Sequence, residues 1–190
     1  MKKIFKQVFT FILFLGVLLL FQNKLFVLAD TEHVHTYDNG FCECGELEKP
    51  EYLQHLGTGW IVDNAGELIW YVNQYNSGES KINLYIKKDI TLPSGYKWVP
   101  LGTTEHPFVK NIYTVNDVEY KIDLGEQVIN TSNYGLVGIL GDGETSSSII
   151  ENIKVYGNFI ISRSVESVGA FVGSAINRLD ILNSSSYRYE

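Results

Sequence analysis

The chain holds 190 residues, 15 basic against 22 acidic for a formal net charge of −7, and 45% of it is hydrophobic. An acidic balance without clustered Lys and Arg excludes a phosphate-binding surface, and nucleic acid as a partner with it. Setting aside an N-terminal export segment of 29 residues leaves 161, enough for one domain around one core.

That export segment is read from its order of charge and hydropathy. Met1-Lys2-Lys3-Ile4-Phe5-Lys6 is a short basic start, Phe9 to Phe21 is an apolar run too short to span a bilayer comfortably, and Gln22-Asn23-Lys24 ends it. Val27-Leu28-Ala29 then offers the small residues that a signal peptidase reads before Asp30, so residues 1–29 are predicted to be a signal peptide cut after Ala29. The competing reading, a retained anchor from Phe9 to Leu28, would hold Lys24 at a large cost in hydrocarbon. With no cysteine near the cut, a lipid anchor is not expected. The expected location is therefore secreted or on the cell surface, with membrane contact only through the signal peptide during export.

Residues 30–58 form an acidic leader. Between Asp30 and Glu67 stand nine acidic residues and a single base, Lys49, the balance of a solvated segment. Within it, His33-Val34-His35 is followed by Cys42-Glu43-Cys44-Gly45. Two imidazoles and two thiolates are the tetrahedral set that zinc takes, so His33, His35, Cys42 and Cys44 are the candidate ligands of a structural zinc ion. This segment resembles the His-rich lead-ins ending in Cys-x-x-Cys-Gly near the N-termini of many exported bacterial proteins, although only Glu43 stands between the cysteines here. Two other readings stay open: a disulfide in an oxidising compartment, strained in so small a ring, and a disordered leader with two thiols.

The remaining module is read over residues 59–190. Residues 59–78 carry a helical pattern: Asn64 as N-cap, Glu67 three residues on, Leu68, Tyr71, Val72 and Tyr75 on one apolar face, and Gly78 as a stop. Ile82, Leu84 and Ile86 then alternate with polar neighbours as a strand does, and Pro93, Gly95 and Pro100 punctuate a loop. Ile112–Val115 and Val118–Leu124 flank Asn116-Asp117 and predict a β-hairpin.

From Asn133 the chain turns to glycine-punctuated apolar runs, and a repeat emerges. Gly135-Leu136-Val137-Gly138 returns 35 residues later as Ala170-Phe171-Val172-Gly173, and Ile150 to Val155 is echoed 26 residues later by Ile176 to Ile181. Strands that recur while loops vary are the mark of an irregular β-solenoid whose coils stack in parallel. Ile149, Ile153, Val155, Phe159 and Ile161 are expected to face inward. Asn152 and Asn177, each before an apolar strand segment, are expected to stack in an internal amide ladder.

At these residues the chain resembles the GLUG-motif repeat proteins of bacterial surfaces, whose repeats also precede the catalytic part of some secreted IgA-specific metalloendopeptidases. Lys88-Asp89-Ile90-Thr91-Leu92, Trp98-Val99-Pro100-Leu101-Gly102, Pro107-Phe108 and Tyr134-Gly135-Leu136-Val137-Gly138 carry the likeness, which spans about residues 59 to 183. Lys110-Asn111 and Asn116-Asp117 stand where that family has glycines, and Val137 where it has Phe. The resemblance implies an all-β fold: a right-handed parallel β-helix with an N-terminal capping helix and β-hairpin. It implies a cell-surface scaffold and transfers no catalytic residue.

Catalytic signatures are sparse. His-Glu-x-x-His, Gly-x-Ser-x-Gly and phosphate-loop motifs do not occur, and the glycines of Gly138 to Gly143 fit bends between strands better than a dinucleotide site. His55 and His106 stand alone. Trp60, Trp70 and Trp98 with twelve tyrosines could form a sugar-stacking face, but Trp70 and Trp98 read rather as packing between the cap and the first coil. Glu151, Lys154, Arg178 and Asp180 are the one set of acidic and basic side chains near the repeat strands. The expected function is thus an exported, non-enzymatic, adhesion-type scaffold module, the N-terminal part of a longer protein, facing an extracellular protein or glycan. The alternatives are the non-catalytic front of a secreted metalloendopeptidase and a carbohydrate-binding or carbohydrate-active β-helix.

Overall fold

The computed structural model describes residues 34–54, 58–144, 147–161, 165 and 167–188. The chain divides into two compact units, Met1–His35 and Thr36–Glu190. Only Val34 and His35 are described in the first, both exposed, so the predicted signal peptide and His33 lie outside the described residues, as does His55. Among the described residues no helix is long and apolar enough to cross a membrane.

The second unit is a β-solenoid of about three turns. Its strands are β1 (Tyr37–Asp38), β2 (Phe41–Cys42), β3 (Glu51–Leu53) and β4 (Gly59–Val62), then β5 (Asn83–Ile86) and β6 (Ile90–Thr91) after helix α1 (Ala65–Asn76). There follow β7 (Ile112–Thr114), β8 (Tyr120–Ile129), β9 (Val137–Leu140), β10 (Ser147–Glu151), β11 (Ile153–Ile161), β12 (Val172–Ala175), β13 (Arg178–Leu182) and β14 (Ser185–Tyr187). One sheet runs β13-β10-β7-β5-β4-β3, a second β14-β11-β8-β6 and a third β12-β9. Every pair is parallel except β3 with β4 and the small hairpin β1 with β2. Each coil therefore spends one strand on each face and bonds to the coil before and after it.

Burial follows these ladders. On the first sheet Leu84, Ile112, Ile150 and Ile181 lie opposite one another in successive coils, and on the second Ile90, Ile122, Val155 and Ser186 do so. All but the last member of each column are buried aliphatic side chains of the core. Asparagines add a ladder of their own at the strand starts: the Asn83 side-chain oxygen accepts from the Asn111 amide at 3.1 Å, and that of Asn111 from the Ile149 amide at 2.9 Å.

Helix α1 forms as its end residues predict. The Asn64 side chain accepts from the Glu67 amide, while the Glu67 carboxylate reaches back to the Asp63 amide at 2.7 Å. Leu68, Tyr71, Val72 and Tyr75 are buried, as their spacing requires. At the other end Gly78 takes φ +83°, and the Gly78 and Glu79 amides bond the carbonyls of Tyr75 and Gln74, closing a Schellman stop.

Four expectations are corrected. Ile112–Val115 and Val118–Leu124 do not pair: β7 and β8 belong to different sheets, and Asn116-Asp117, at φ 60° and 56°, turns a corner between faces. The left-handed backbone read from those two residues is there, but it serves a solenoid corner. The repeat register differs as well, because Ile150 pairs with Ile181 and Lys154 with Ser185, an offset of 31 residues rather than 26. Asn152 is matched by Asn183, both left-handed, and not by Asn177, whose side chain instead accepts from the Gly143 amide. The Asn152 corner also switches the inward parity. Before it Ser148 and Ile150 point inward, after it Ile153 and Val155, so Ile149 is only partly buried. Ile161 is exposed because β14 covers β11 only from Lys154 to Tyr156.

A buried polar knot braces the third sheet. The Gln127 side-chain oxygen accepts from the Trp98 amide at 3.0 Å, its nitrogen donates to the Tyr96 and Leu124 carbonyls, and the Tyr134 hydroxyl lies 3.1 Å from both that oxygen and the Trp98 carbonyl. Trp98 itself is buried, its indole nitrogen donating to the Gly135 carbonyl at 2.9 Å.

Candidate metal centre

The two cysteines sit at the end of a hairpin that the sequence signals at Asn39-Gly40. Both residues are left-handed, φ 48° and 81°, and Asp38 faces Phe41 across the turn. This is the two-residue turn for which Asn-Gly is the preferred pair. Asn39-Gly40 is thus a turn signal carried by the sequence itself, inside the acidic leader.

Past the turn the chain folds back again. The Cys42 amide donates to the Glu46 carbonyl and the Gly45 amide to the Cys42 carbonyl, each at 2.9 Å, with Gly45 at φ +90°. This tight loop places both thiols on one side. Cys44 Sγ donates to Cys42 Sγ at 2.9 Å, well beyond the bonded distance of about 2.05 Å, so the pair forms no disulfide here. Cys42 is buried and Cys44 exposed. The hydrogen bond with Cys42 is the largest of the influences that raise the Cys44 pKa, with desolvation adding to it.

The hairpin is tied to the start of α1. The Asn39 carbonyl accepts from the Gly66 amide at 3.0 Å and its side-chain oxygen from the Ala65 amide at 3.2 Å, while its side-chain nitrogen donates to the Thr91 carbonyl at 3.1 Å. Asn39 thus satisfies two helix amides that would otherwise lack partners, and Asn64 takes the next. The approach is close because both contacting residues are glycines: a Cβ on Gly66 would lie 1.9 Å from the Gly40 oxygen. The segment that carries the two sulfurs is consequently anchored at the Asn39-Gly40 turn.

Of the four predicted ligands, the fold brings Cys42 and Cys44 together. His35 is an exposed residue of the first unit, and His33 lies outside the described residues. Sulfur is a preferred zinc donor, and a pair held on a backbone-anchored loop suits a structural site.

Elsewhere the acidic and basic set near the repeat does not converge. Arg178 pairs with Asp180 at 3.0 Å on β13, whereas Lys154, on a different sheet, pairs with Glu119. A cavity of about 300 Å³ beside β11 and β14 is lined by Val155, Gly157, Phe159, Ala170, Ser186, Tyr187 and Arg188, a set without a carboxylate or an imidazole. His106 stands beside Gly78 with its Nδ1 buried and without a hydrogen-bond partner among the described residues.

No family model, no curated protein and no solved structure matches this chain.

Proposed function

We propose that this chain is an exported, non-catalytic scaffold that presents the flat faces of a β-solenoid to an extracellular protein or glycan. The observation that carries this reading is the outer face of the second sheet. There the register sets Lys121 beside Lys154 and Ser185, and Tyr156 beside Tyr187, rung upon rung, with the buried Asp123 carboxylate 3.6 Å from the Lys121 ammonium. Rows of charged and aromatic side chains on a rigid parallel sheet make a recognition surface with little conformational entropy left to lose. The solenoid form of the second unit supports a scaffold reading.

The test has two parts. Protease treatment of intact producing cells is expected to release peptides of this chain, and the mature protein is expected to bind on arrays of glycans and matrix proteins. Replacing Lys121 and Lys154 by Glu should abolish that binding while the circular dichroism stays unchanged. Retention of the chain inside the cell, or binding indifferent to both changes, overturns the proposal.

Beside this role, the hairpin is proposed to hold one zinc ion through Cys42 and Cys44, with His33 and His35. The paired sulfurs on one anchored loop support it. Because both thiols must ionise to bind, loading is expected to release protons and to weaken as the pH falls. Metal analysis of the mature protein should find about one zinc per chain, lost in Cys42→Ser. A metal-free protein that folds equally well ends the idea.

A further inference from the structure

The geometry points to a small binding site for a methylated ammonium group on the face formed by β3, β4 and α1, which the chain's own Lys49 occupies. The Lys49 ammonium lies 5.4 Å from the ring centroid of Trp60 and 5.7 Å from that of Trp70, and the two ring centroids are 5.2 Å apart. Cation and rings form a nearly equilateral triangle. The rings meet at 75°, so they make two walls of a corner rather than a stack. A cation within about 6 Å of a tryptophan face is attracted by the ring quadrupole, and quaternary ammonium ligands are the groups that such aromatic corners select.

The walls are held from outside the corner. Trp60 sits on β4, its indole nitrogen donates to the Ser80 hydroxyl at 3.1 Å, and Tyr52 packs edge-on against it at 5.0 Å from the neighbouring β3. Trp70 rides on α1. The rings are therefore placed by backbone pairing and helix packing, which pre-forms the corner.

Lys49 has the features of a displaceable occupant. Its residue is exposed, Tyr52 is 42% exposed, and among the described residues Lys49 makes no ion pair with a carboxylate. It is the one base against nine acids between Asp30 and Glu67, so the local field favours a cation of any origin. A trimethylammonium group is larger and less hydrated than a lysine ammonium and would fill the corner when Lys49 swings out. This assignment is independent of the scaffold role and of the zinc site.

The experiment titrates the whole mature protein with choline, with an N-trimethyl-lysine amide, and with 3,3-dimethylbutanol, the uncharged isostere of choline, reading tryptophan fluorescence and calorimetric heat. Lys49→Ala is expected to bind the trimethylammonium probes roughly tenfold more tightly than the parent and to bind the neutral isostere far less well. Preference between the two charged probes identifies the carrier of the group. Adding Trp60→Leu to Lys49→Ala should abolish binding. If Lys49→Ala melts much below the parent, Lys49→Gln, which keeps the stem and removes the charge, carries the comparison. A folded Lys49 variant that binds neither probe, or that binds the neutral isostere equally well, overturns the proposal and leaves Lys49 as a clasp between β3 and the helix.

Discussion

Ile150 lies opposite Ile181 in the parallel ladder joining β10 to β13, and although one coil separates them in sequence, the first is fully buried while the second is 42% exposed. The difference is positional. Ile150 has Ile112 on its other side, whereas the described residues place a coil on only one side of Ile181. Stacking, rather than side-chain type, sets what each aliphatic residue contributes.

Ile150→Ala is accordingly expected to cost about 2 to 5 kcal/mol, and Ile181→Ala under about 1 kcal/mol. Urea melts of the two variants measure this directly. Equal losses would mean that the column is not the unit of stability.

The corner at Asn152 gives a conformational prediction. Its φ of 58° is left-handed, a region where a Cβ costs about 1 to 2 kcal/mol unless the residue is Gly or, with less strain, Asn. Asn152→Ala should lower stability by about 1 kcal/mol and Asn152→Gly by less. The order of the two melting temperatures decides it, since packing loss alone would make Gly the worse replacement.

At Gly66 two effects oppose each other. Alanine in a helix is favoured over glycine by about 1 kcal/mol, but here its Cβ would meet the Gly40 backbone at 1.9 Å. Backbone cannot yield cheaply, so Gly66→Ala is expected to lift the Asn39-Gly40 turn from the helix and destabilise by about 1 to 3 kcal/mol. Hydrogen exchange at the Ala65 and Gly66 amides should accelerate in the variant, and unchanged exchange would refute the contact.

Tyr134 supplies a pH prediction. Burial beside Gln127 pushes its phenol up to about 12 from 10.0. The folded state therefore keeps the proton where the unfolded chain gives it up: the stabilisation is complete below pH 10 and is lost as the pH rises from 10 through about 12. Over that window the parent should lose roughly 2 to 3 kcal/mol relative to Tyr134→Phe, in which the group is missing from both states. Paired denaturation curves at pH 9 and 12 measure it.

Local chemistry determined much of this molecule from the sequence alone. Asn64, Glu67 and Gly78 delimit α1 because each acts on backbone groups within a few residues of itself, and Leu84, Ile86, Ile122 and Leu124 are buried because alternation is a property of a single strand. Cys42 and Cys44 are neighbours for the same reason, being two residues apart. What the sequence could not decide was which strand lies on which. Ile150-Glu151-Asn152-Ile153 resembles Ile176-Asn177-Arg178-Leu179 closely enough to suggest an offset of 26, yet the ladder runs at 31, and the expected hairpin at Asn116-Asp117 is a corner. Parallel pairing is made by amides and carbonyls common to every residue, so its register carries little side-chain signature. Left-handed corners at Asn116, Asn152 and Asn183, together with the volume each coil must fill, select that register only once the chain has closed on itself.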